Sequence, residues 1–233
     1  MTRPSASDRN PGKICLPIIE ATTGKAVQDL AKAKGLADLV EMRVDYIKNP
    51  ELEVLFRKRE IPCIVTNRRK EEGGRYKGDE RSRRGILREA VLLGFEFVDL
   101  EWASGKFAID EVMGKQVKTR LILSHHDFEK TPPLKELRSL CGRMMRHGAD
   151  VIKIVTSARS WEDNLKVLSL IPYALGKKQA IVALCMGDKG KMSRVFAPLM
   201  GAAWTYAPFT GDRASAPGQL TALELKEIWR RLR

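Results

Sequence analysis

The chain has 233 residues, 43% of them hydrophobic, which is enough to bury the core of one large α/β domain or of two small ones. No run approaches the roughly 18 to 20 apolar residues that a membrane span needs, and the start MTRPSASDRNPG lacks the apolar centre of a secretory signal, so we expect a soluble, cytoplasmic protein. The four cysteines form no C-x-x-C pair, which argues against a cysteine zinc site and a disulfide framework. A formal net charge of +13 makes nucleic acid the first partner to consider.

Short apolar runs bounded by turn residues alternate with helical patterns along the chain. The predicted strands are 13–20, 39–46, 62–69, 97–102, 120–128, 150–158, 179–187 and 203–210. The predicted helices are 24–36, 51–59, 80–93, 105–116, 133–147, 160–175, 190–200 and 218–232. These alternations match the smallest (β/α)8 barrels, and no G-x-G-x-x-G follows the first strand. The sequence therefore predicts a single-domain (β/α)8 TIM barrel over 13–233, preceded by a flexible tail, 1–12.

Charged residues of the second predicted strand share one face. Barrel enzymes carry their chemistry at the carboxyl ends of the strands, so polar residues there are candidates for a site. In VEMRVDY, Glu41, Arg43 and Asp45 alternate with Met42 and Val44, which turns the charged side chains towards the barrel interior. From this segment alone, an internal salt bridge across the barrel mouth and a ligand-binding site are equally supported.

The loop after the third predicted strand, TNRRKEEGGRYKGD, offers Arg68 and Glu72 beside the pair Gly73 and Gly74. Glycines let the backbone turn, so a carboxylate of this loop can re-enter the barrel mouth and orient a histidine there. We interpret the neighbouring basic residues Arg69, Lys70 and Lys77 as surface charge.

The fifth predicted strand ends in LILSHHDF, which places His125 and His126 side by side. Successive side chains of a strand leave on opposite faces, so one histidine faces the barrel and the other faces the helices. A lone histidine is more often structural than catalytic.

The sixth predicted strand, DVIKIVTSA, places Lys153 between Ile152 and Ile154, with Val151 and Val155 on its own face. Desolvation disfavours the charged form of a buried lysine and frees the amine to attack a carbonyl. A lysine that reaches water past apolar neighbours is the alternative, and mid-strand in a barrel we favour the reactive amine. A lysine that holds a carbonyl and a histidine that moves protons beside it are the minimum for dehydrating a ketone.

The last two predicted loops are polar. MGDKGKMSR brings Arg194 just inside a helix, where a guanidinium suits a carboxylate or a phosphate. TGDRASAPGQ has the composition of a mobile lid with polar tips at Ser215 and Gln219, although most loops of this composition have no such role.

Six motifs, in order, resemble the type I 3-dehydroquinate dehydratase family. They are E-M-R-V-D at 41–45, R-x-x-x-E-G-G at 68–74, S-H-H-D-F at 124–128, the lysine of V-I-K-I-V, M-G-x-x-G-x-x-S-R at 186–194 and S-A-P-G-Q at 215–219. The resemblance implies a lyase without cofactor or metal that converts 3-dehydroquinate to 3-dehydroshikimate in the shikimate pathway. Members are commonly homodimers, and the length favours a stand-alone enzyme over a fusion.

The resemblance also implies roles for individual residues. Lys153 would form an imine with the substrate ketone, His126 would move the protons, and Glu72 would hold His126 in orientation and charge state. Arg194 would bind the substrate carboxylate. The remaining residues would recognise the substrate hydroxyls and close the lid: Glu41, Arg43, Arg68, Ser215 and Gln219. Position 125 often holds an aromatic in the family, so His125 is a departure.

Two rival functions follow from single features of the sequence. A barrel aldolase would share the imine-forming Lys153, but not S-A-P-G-Q or the paired His126. A nucleic-acid-binding module would explain the charge of +13 and the basic cluster formed by Arg81, Arg83, Arg84 and Arg88. We give the second rival little weight, because the 29 acidic residues are interspersed with the basic ones.

Overall fold

The computed structural model describes residues 12–114 and 118–232. Within these ranges the strands are β1 Ile14–Ile18, β2 Leu39–Arg43, β3 Cys63–Thr66, β4 Phe97–Glu101, β5 Arg120–Asp127, β6 Val151–Ser157, β7 Ala180–Met186 and β8 Thr205–Tyr206. All pair in parallel in the order β7-β6-β5-β4-β3-β2-β1-β8. Between β7 and β8, the Ala203 N–H donates to the Ile181 carbonyl at 2.8 Å, which nearly closes the ring. The predicted (β/α)8 barrel is confirmed.

The helices alternate with these strands. They are α1 Thr23–Ala33, α2 Leu52–Lys58, α3 Glu80–Leu93, α4 Gly105–Met113, α5 Leu134–Arg146, α6 Glu162–Leu168, α7 Leu170–Leu175, α8 Lys191–Leu199 and α9 Ala222–Arg231. Their apolar faces pack with apolar residues of the strands in the main hydrophobic core, and α9 buries Trp229 in a smaller cluster beside it. Across the described ranges, no helix combines the length and the apolar character that crossing a membrane requires.

Three predicted elements differ from the structure for local reasons. The predicted helix 160–175 is two helices, α6 and α7, because Pro172 has no N–H to donate to the carbonyl of Leu168. The predicted strand 203–210 is reduced to Thr205–Tyr206, since Pro208 also lacks the donor that a ladder needs. The predicted helix 218–232 begins at Ala222, where Thr221 forms a capping box with Glu224. The predicted tail, 1–12, lies outside the described residues except for Gly12.

The loop after β3 folds back over the barrel mouth. A single 3₁₀ turn, Lys70–Glu72, ends at Gly73, whose φ of 79° lies in the left-handed region. The Gly74 N–H then donates to the Arg69 carbonyl at 2.7 Å, and the turn buries Glu72 at the mouth. The two glycines thus return a carboxylate to the barrel, as the sequence predicts.

We predict that Gly74→Ala destabilises the protein by about 1–3 kcal/mol, because the added Cβ would lie 1.8 Å from the Arg68 carbonyl oxygen and the backbone must shift. Gly85→Ala in α3 is the matched control, since nothing lies within 4 Å of its added Cβ. There the better helix former is expected to stabilise by up to about 1 kcal/mol. Urea denaturation measures both, and equal midpoints for Gly74→Ala and the parent chain would contradict the prediction.

Candidate active site

A cavity opens at the carboxyl ends of the strands, where a barrel places its chemistry. Its walls come from β2, β5, β6, β7, β8 and α8 and from the loops after β3, β5 and β8. The nine residues predicted for the site all line it: Glu41, Arg43, Arg68, Glu72, His126, Lys153, Arg194, Ser215 and Gln219. The fold therefore brings together side chains that are far apart along the chain.

Lys153 is buried in the middle of β6, with its amine in the cavity. Nζ donates to Glu41 Oε1 at 2.9 Å and to Asp99 Oδ2 at 3.0 Å. The prediction that the amine lies in apolar surroundings is therefore wrong. Ile152 and Ile154 lie on the other face of β6, and carboxylates from β2 and β4 face Nζ inside the barrel. Two carboxylates therefore hold the amine in place inside the cavity. A lysine attacks a carbonyl only as the neutral amine.

Asp99, on β4, links Lys153 to Arg68. Its carboxylate accepts from Arg68 at 2.8 Å and from the Ser124 hydroxyl at 2.6 Å, in addition to Lys153. Burial alone would raise the pKa of Asp99, but the Arg68 and Lys153 cations hold it well below its usual range. Asp99 is therefore a permanent anion beside the amine and does not serve as a base.

The Glu101 carboxylate, on the same strand as Asp99, joins Arg68 to a second buried arginine. Glu101 Oε1 accepts from Arg68 at 2.9 Å, and Oε2 accepts from Arg83 at 3.0 Å. Arg83 is itself buried and also pairs with Glu80 at 2.7 Å. An alternating series of charges thus joins the amine in the cavity to helix α3.

Three arginines of the predicted basic cluster have hydrogen-bond partners within the protein. Arg83 is inside the protein, Arg84 pairs with the Glu111 carboxylate at 2.6 Å, and Arg88 donates to the Glu111 carbonyl at 2.6 Å. Arg83 and Arg84 are thus paired with carboxylates, and among the described residues only Arg88 of these three keeps an unpaired charge at the surface. They do not form a row of free cations, so they give little support to a nucleic-acid interface.

Glu72 and His126 form a hydrogen-bonded pair. Glu72 Oε2 lies 2.9 Å from His126 Nδ1 and also accepts from the His126 backbone N–H at 3.2 Å. Burial raises the pKa of Glu72 to about 7, and the Glu101 carboxylate adds to this effect. Burial also lowers the pKa of His126 well below its usual range, and the Arg68 and Lys153 cations lower it further. The imidazole is therefore neutral at pH 7, and a Glu72 carboxylate leaves the other ring nitrogen free as a base.

His125 faces the opposite side of β5. It lines a separate surface depression between Trp102 and α5, next to Glu136 and Arg143. The alternation of the strand thus separates the two histidines, and His126 is the one that faces the cavity.

Glu41 and Arg43 each have a different partner. Glu41 Oε1 accepts from Lys153 and from the Thr66 hydroxyl at 3.0 Å. Arg43 makes two parallel hydrogen bonds of 2.8 Å to Asp45. The Arg43–Asp45 ion pair confirms an internal salt bridge in this strand. Arg43 and Glu41 also line the cavity, and their binding of a ligand stays a prediction.

Arg194, in the first turn of α8, is a buried cation. Its terminal nitrogen donates to the Pro217 carbonyl at 3.3 Å, and Nε has no hydrogen-bond partner among the described residues. Burial lowers its pKa to about 10, because no carboxylate in the described part of the chain pairs with it. A buried guanidinium in this state is suited to bind an anionic group that enters the cavity.

The loop after β8 closes one side of the cavity. The Ser215 N–H donates to Gln219 Oε1 at 2.9 Å, and Gln219 Nε2 donates to Ser215 Oγ at 3.2 Å. Arg213 fixes the start of the loop by ion pairs to Glu20 and Asp29. Mobility of this loop as a lid stays a prediction.

Several residues that lie at the site were not identified from the sequence. Asp99 and Glu101 share one face of FVDLEW, so the alternation that identified Glu41 would also have found them. Tyr206 and Phe128 line the cavity, and no local pattern distinguishes them from core aromatics. Over the described ranges, no group of three or more His, Cys, Asp or Glu side chains is arranged to hold a metal ion.

Comparison with known proteins places the chain in one family. The family model described as Type I 3-dehydroquinase matches residues 14–233. The 3-dehydroquinate dehydratase of Methanocaldococcus jannaschii is 37% identical over 221 residues, which cover 93% of this chain and 97% of that protein. The bifunctional 3-dehydroquinate dehydratase/shikimate dehydrogenase of Arabidopsis thaliana is 35% identical over 95% of this chain and 37% of the plant protein.

A solved structure gives the same result. The type I 3-dehydroquinate dehydratase of Clostridium difficile, crystallised with covalently modified comenic acid, superposes with a TM-score of 0.86 at 29% identity. The match covers 95% of this chain and 92% of that one. The chain therefore belongs to the type I 3-dehydroquinase family.

Proposed function

We propose that the chain dehydrates 3-dehydroquinate to 3-dehydroshikimate, the hydro-lyase reaction of its family in the shikimate pathway of aromatic amino acid biosynthesis. The observation that carries the proposal is the position of the Lys153 amine. It lies in one cavity with a neutral histidine and with a buried arginine that has no carboxylate partner. An amine, a base and an anion-binding group are the parts that an imine-forming dehydratase of a keto acid requires.

The first step joins Lys153 to the substrate ketone. After the ammonium has given up a proton, the Nζ lone pair forms a bond to the ketone carbon. The carbonyl oxygen takes up two protons, one of them from nitrogen, and leaves as water. The nitrogen keeps one hydrogen and carries the positive charge of the protonated imine, which draws electrons from the neighbouring carbon.

His126 then removes the proton from that carbon, and the electrons of the broken bond move to the imine nitrogen. The neutral enamine returns these electrons to expel the hydroxyl group, which takes the proton from His126 and leaves as water. Hydrolysis of the product imine consumes the water released in the first step and regenerates Lys153. Glu72 accepts the Nδ1–H of His126 throughout, so the same ring nitrogen serves as base and then as acid.

The remaining residues of the cavity hold the ligand in this proposal. Arg194 binds the substrate carboxylate, and Ser215 and Gln219 contact it from the loop after β8. Glu41 and Arg43 recognise hydroxyl groups. Arg68 lines the cavity while it donates to Asp99, Glu101 and Ser124, so we assign it both the positioning of Asp99 and contact with the ligand.

We also propose a homodimer in the cytoplasm. Exposed apolar side chains on α8 and at the start of α6 support an interface between copies, since large apolar groups are uncommon on a free surface. They include Trp161, Leu165, Phe196 and Met200.

We predict that Lys153→Met abolishes turnover of 3-dehydroquinate, measured by the absorbance of the conjugated product, because no imine can form. Lys166→Met removes an exposed lysine that pairs with Asp163 and serves as the matched control. It is expected to turn over at the parent rate. Retained activity in a folded Lys153→Met protein would refute the proposed mechanism.

We predict opposite effects for the paired histidines. His126→Asn is expected to slow turnover about 10²- to 10⁴-fold while still permitting imine formation, since a general acid–base contributes about that much. His125→Asn, one position away but outside the cavity, is expected to leave turnover near that of the parent chain. A severe loss for His125→Asn with little change for His126→Asn would reverse the assignment.

We predict that kcat/KM rises with pH through about 7. Glu72 has a raised pKa of about 7, so it is protonated at lower pH and cannot then accept the Nδ1–H of His126. His126 itself stays neutral over this range, because its pKa is lowered. Glu72→Gln is expected to lower kcat/KM and to remove the rise between pH 6 and 8. A Glu72→Gln profile that keeps the same rise would show that another group titrates.

A further inference from the structure

Tyr206, at the end of β8, lies against the amine of Lys153. Its side chain is buried and lines the cavity, and the Lys153 Nζ lies 4.3 Å from the centroid of its ring. Tyr206 pairs with Cys15 of β1, which in turn pairs with Leu39 of β2, two residues before Glu41. The ring thus reaches the cavity from the strand next to β1, and none of the six motifs that resemble the family includes Tyr206.

Three groups now surround the amine. Glu41 and Asp99 accept hydrogen bonds from Nζ, and the face of the Tyr206 ring lies well within the roughly 6 Å over which a cation is attracted to an aromatic ring. This attraction is stronger in a buried site, where water does not compete for the cation. It acts on a cation at this nitrogen and not on the neutral amine or the neutral enamine. An ammonium there donates to both carboxylates, whereas the protonated imine keeps a single N–H, so the charge of the imine depends more on the ring face.

The hydroxyl of Tyr206 makes a weaker contact. It donates to Glu41 Oε1 at 3.4 Å, longer than the usual O–H···O distance. Burial, together with the Glu41 carboxylate, raises the pKa of Tyr206 well above its usual range, so the phenol stays neutral. The Tyr206 hydroxyl therefore keeps its proton and contacts Glu41, while the ring is the part of the side chain that faces the Lys153 nitrogen.

We propose that the ring face of Tyr206 stabilises the protonated imine on Lys153, which makes Tyr206 a further catalytic residue. The inference rests on the proposed function, because it needs an imine at Lys153. No bond to Tyr206 forms or breaks. The ring compensates the protonated imine for the hydrogen bond that it loses to a carboxylate, and this difference increases the fraction of enzyme that carries the imine.

The test compares the trapped imine in Tyr206→Phe, which keeps the ring, and Tyr206→Leu, which removes it. Both are made in the His126→Asn background, so that turnover does not consume the imine. Phe95→Leu in that background is the matched control, because Phe95 is a buried aromatic that packs against Phe56 away from the cavity. Each protein is mixed with 3-dehydroquinate and borohydride, and intact mass spectrometry gives the labelled fraction over a range of substrate concentrations.

Tyr206→Phe and Phe95→Leu are expected to give labelling close to that of the background protein. Tyr206→Leu is expected to weaken the apparent equilibrium constant for imine formation at least about 2-fold, and by less than the roughly 30-fold that a full cation–ring contact would give. Equal labelling of folded Tyr206→Leu and of the background protein would overturn the inference. If the background protein itself takes no label at Lys153, the proposed function fails instead.

Ring electronics provide a second measurement that does not depend on the stability of the leucine variant. Fluorinated phenylalanines incorporated at position 206 keep the size of the ring but weaken the negative charge of its face. The labelled fraction is expected to fall with each added fluorine. A labelled fraction that stays constant across this series would show that the ring of Tyr206 has only a structural role.

Discussion

Five buried charges of alternating sign hold the active site together. Lys153, Asp99, Arg68, Glu101 and Arg83 follow one another through hydrogen-bonded contacts from the cavity to α3. A charge in a protein interior is strongly unfavourable unless it is paired, and removing one member of a buried pair typically destabilises by about 3–5 kcal/mol. The series is tolerated because each member faces a charge of opposite sign, and this requirement fixes where each side chain can lie.

The same charges prepare the chemistry. The cations near His126 keep its imidazole neutral, and the carboxylates near Glu72 help to raise its pKa to about 7. The Lys153 amine is held in place by carboxylates, and an apolar shelter is not what positions it. Arg194 has no such carboxylate, so it keeps a free guanidinium for the ligand. Reactivity thus follows from which groups are paired and which are left unpaired.

The fold and the residues of the cavity could be predicted from the sequence, because alternation along a strand is a local property. It identified the strands and the inward faces of Glu41 and Arg43, but it left open which way Lys153 faces. The partners of Lys153 could not be predicted in this way, since Asp99 lies 54 positions from it and the pairing depends on how β4 and β6 sit in the closed sheet. The short β8 and the divided helix at Ser169 each depend on a single proline. Both prolines are visible in the sequence, but the apolar pattern around them predicted longer elements.

We infer that Lys153 and Asp99 stabilise the fold as a pair. A double-mutant cycle with Lys153→Met and Asp99→Asn, measured by chemical denaturation, tests it most directly. Each single change leaves a buried charge short of a partner, so we expect the double variant to lose at least about 2 kcal/mol less than the sum of the two single losses. Losses that add within about 0.5 kcal/mol would show that the two charges act independently and would contradict this account.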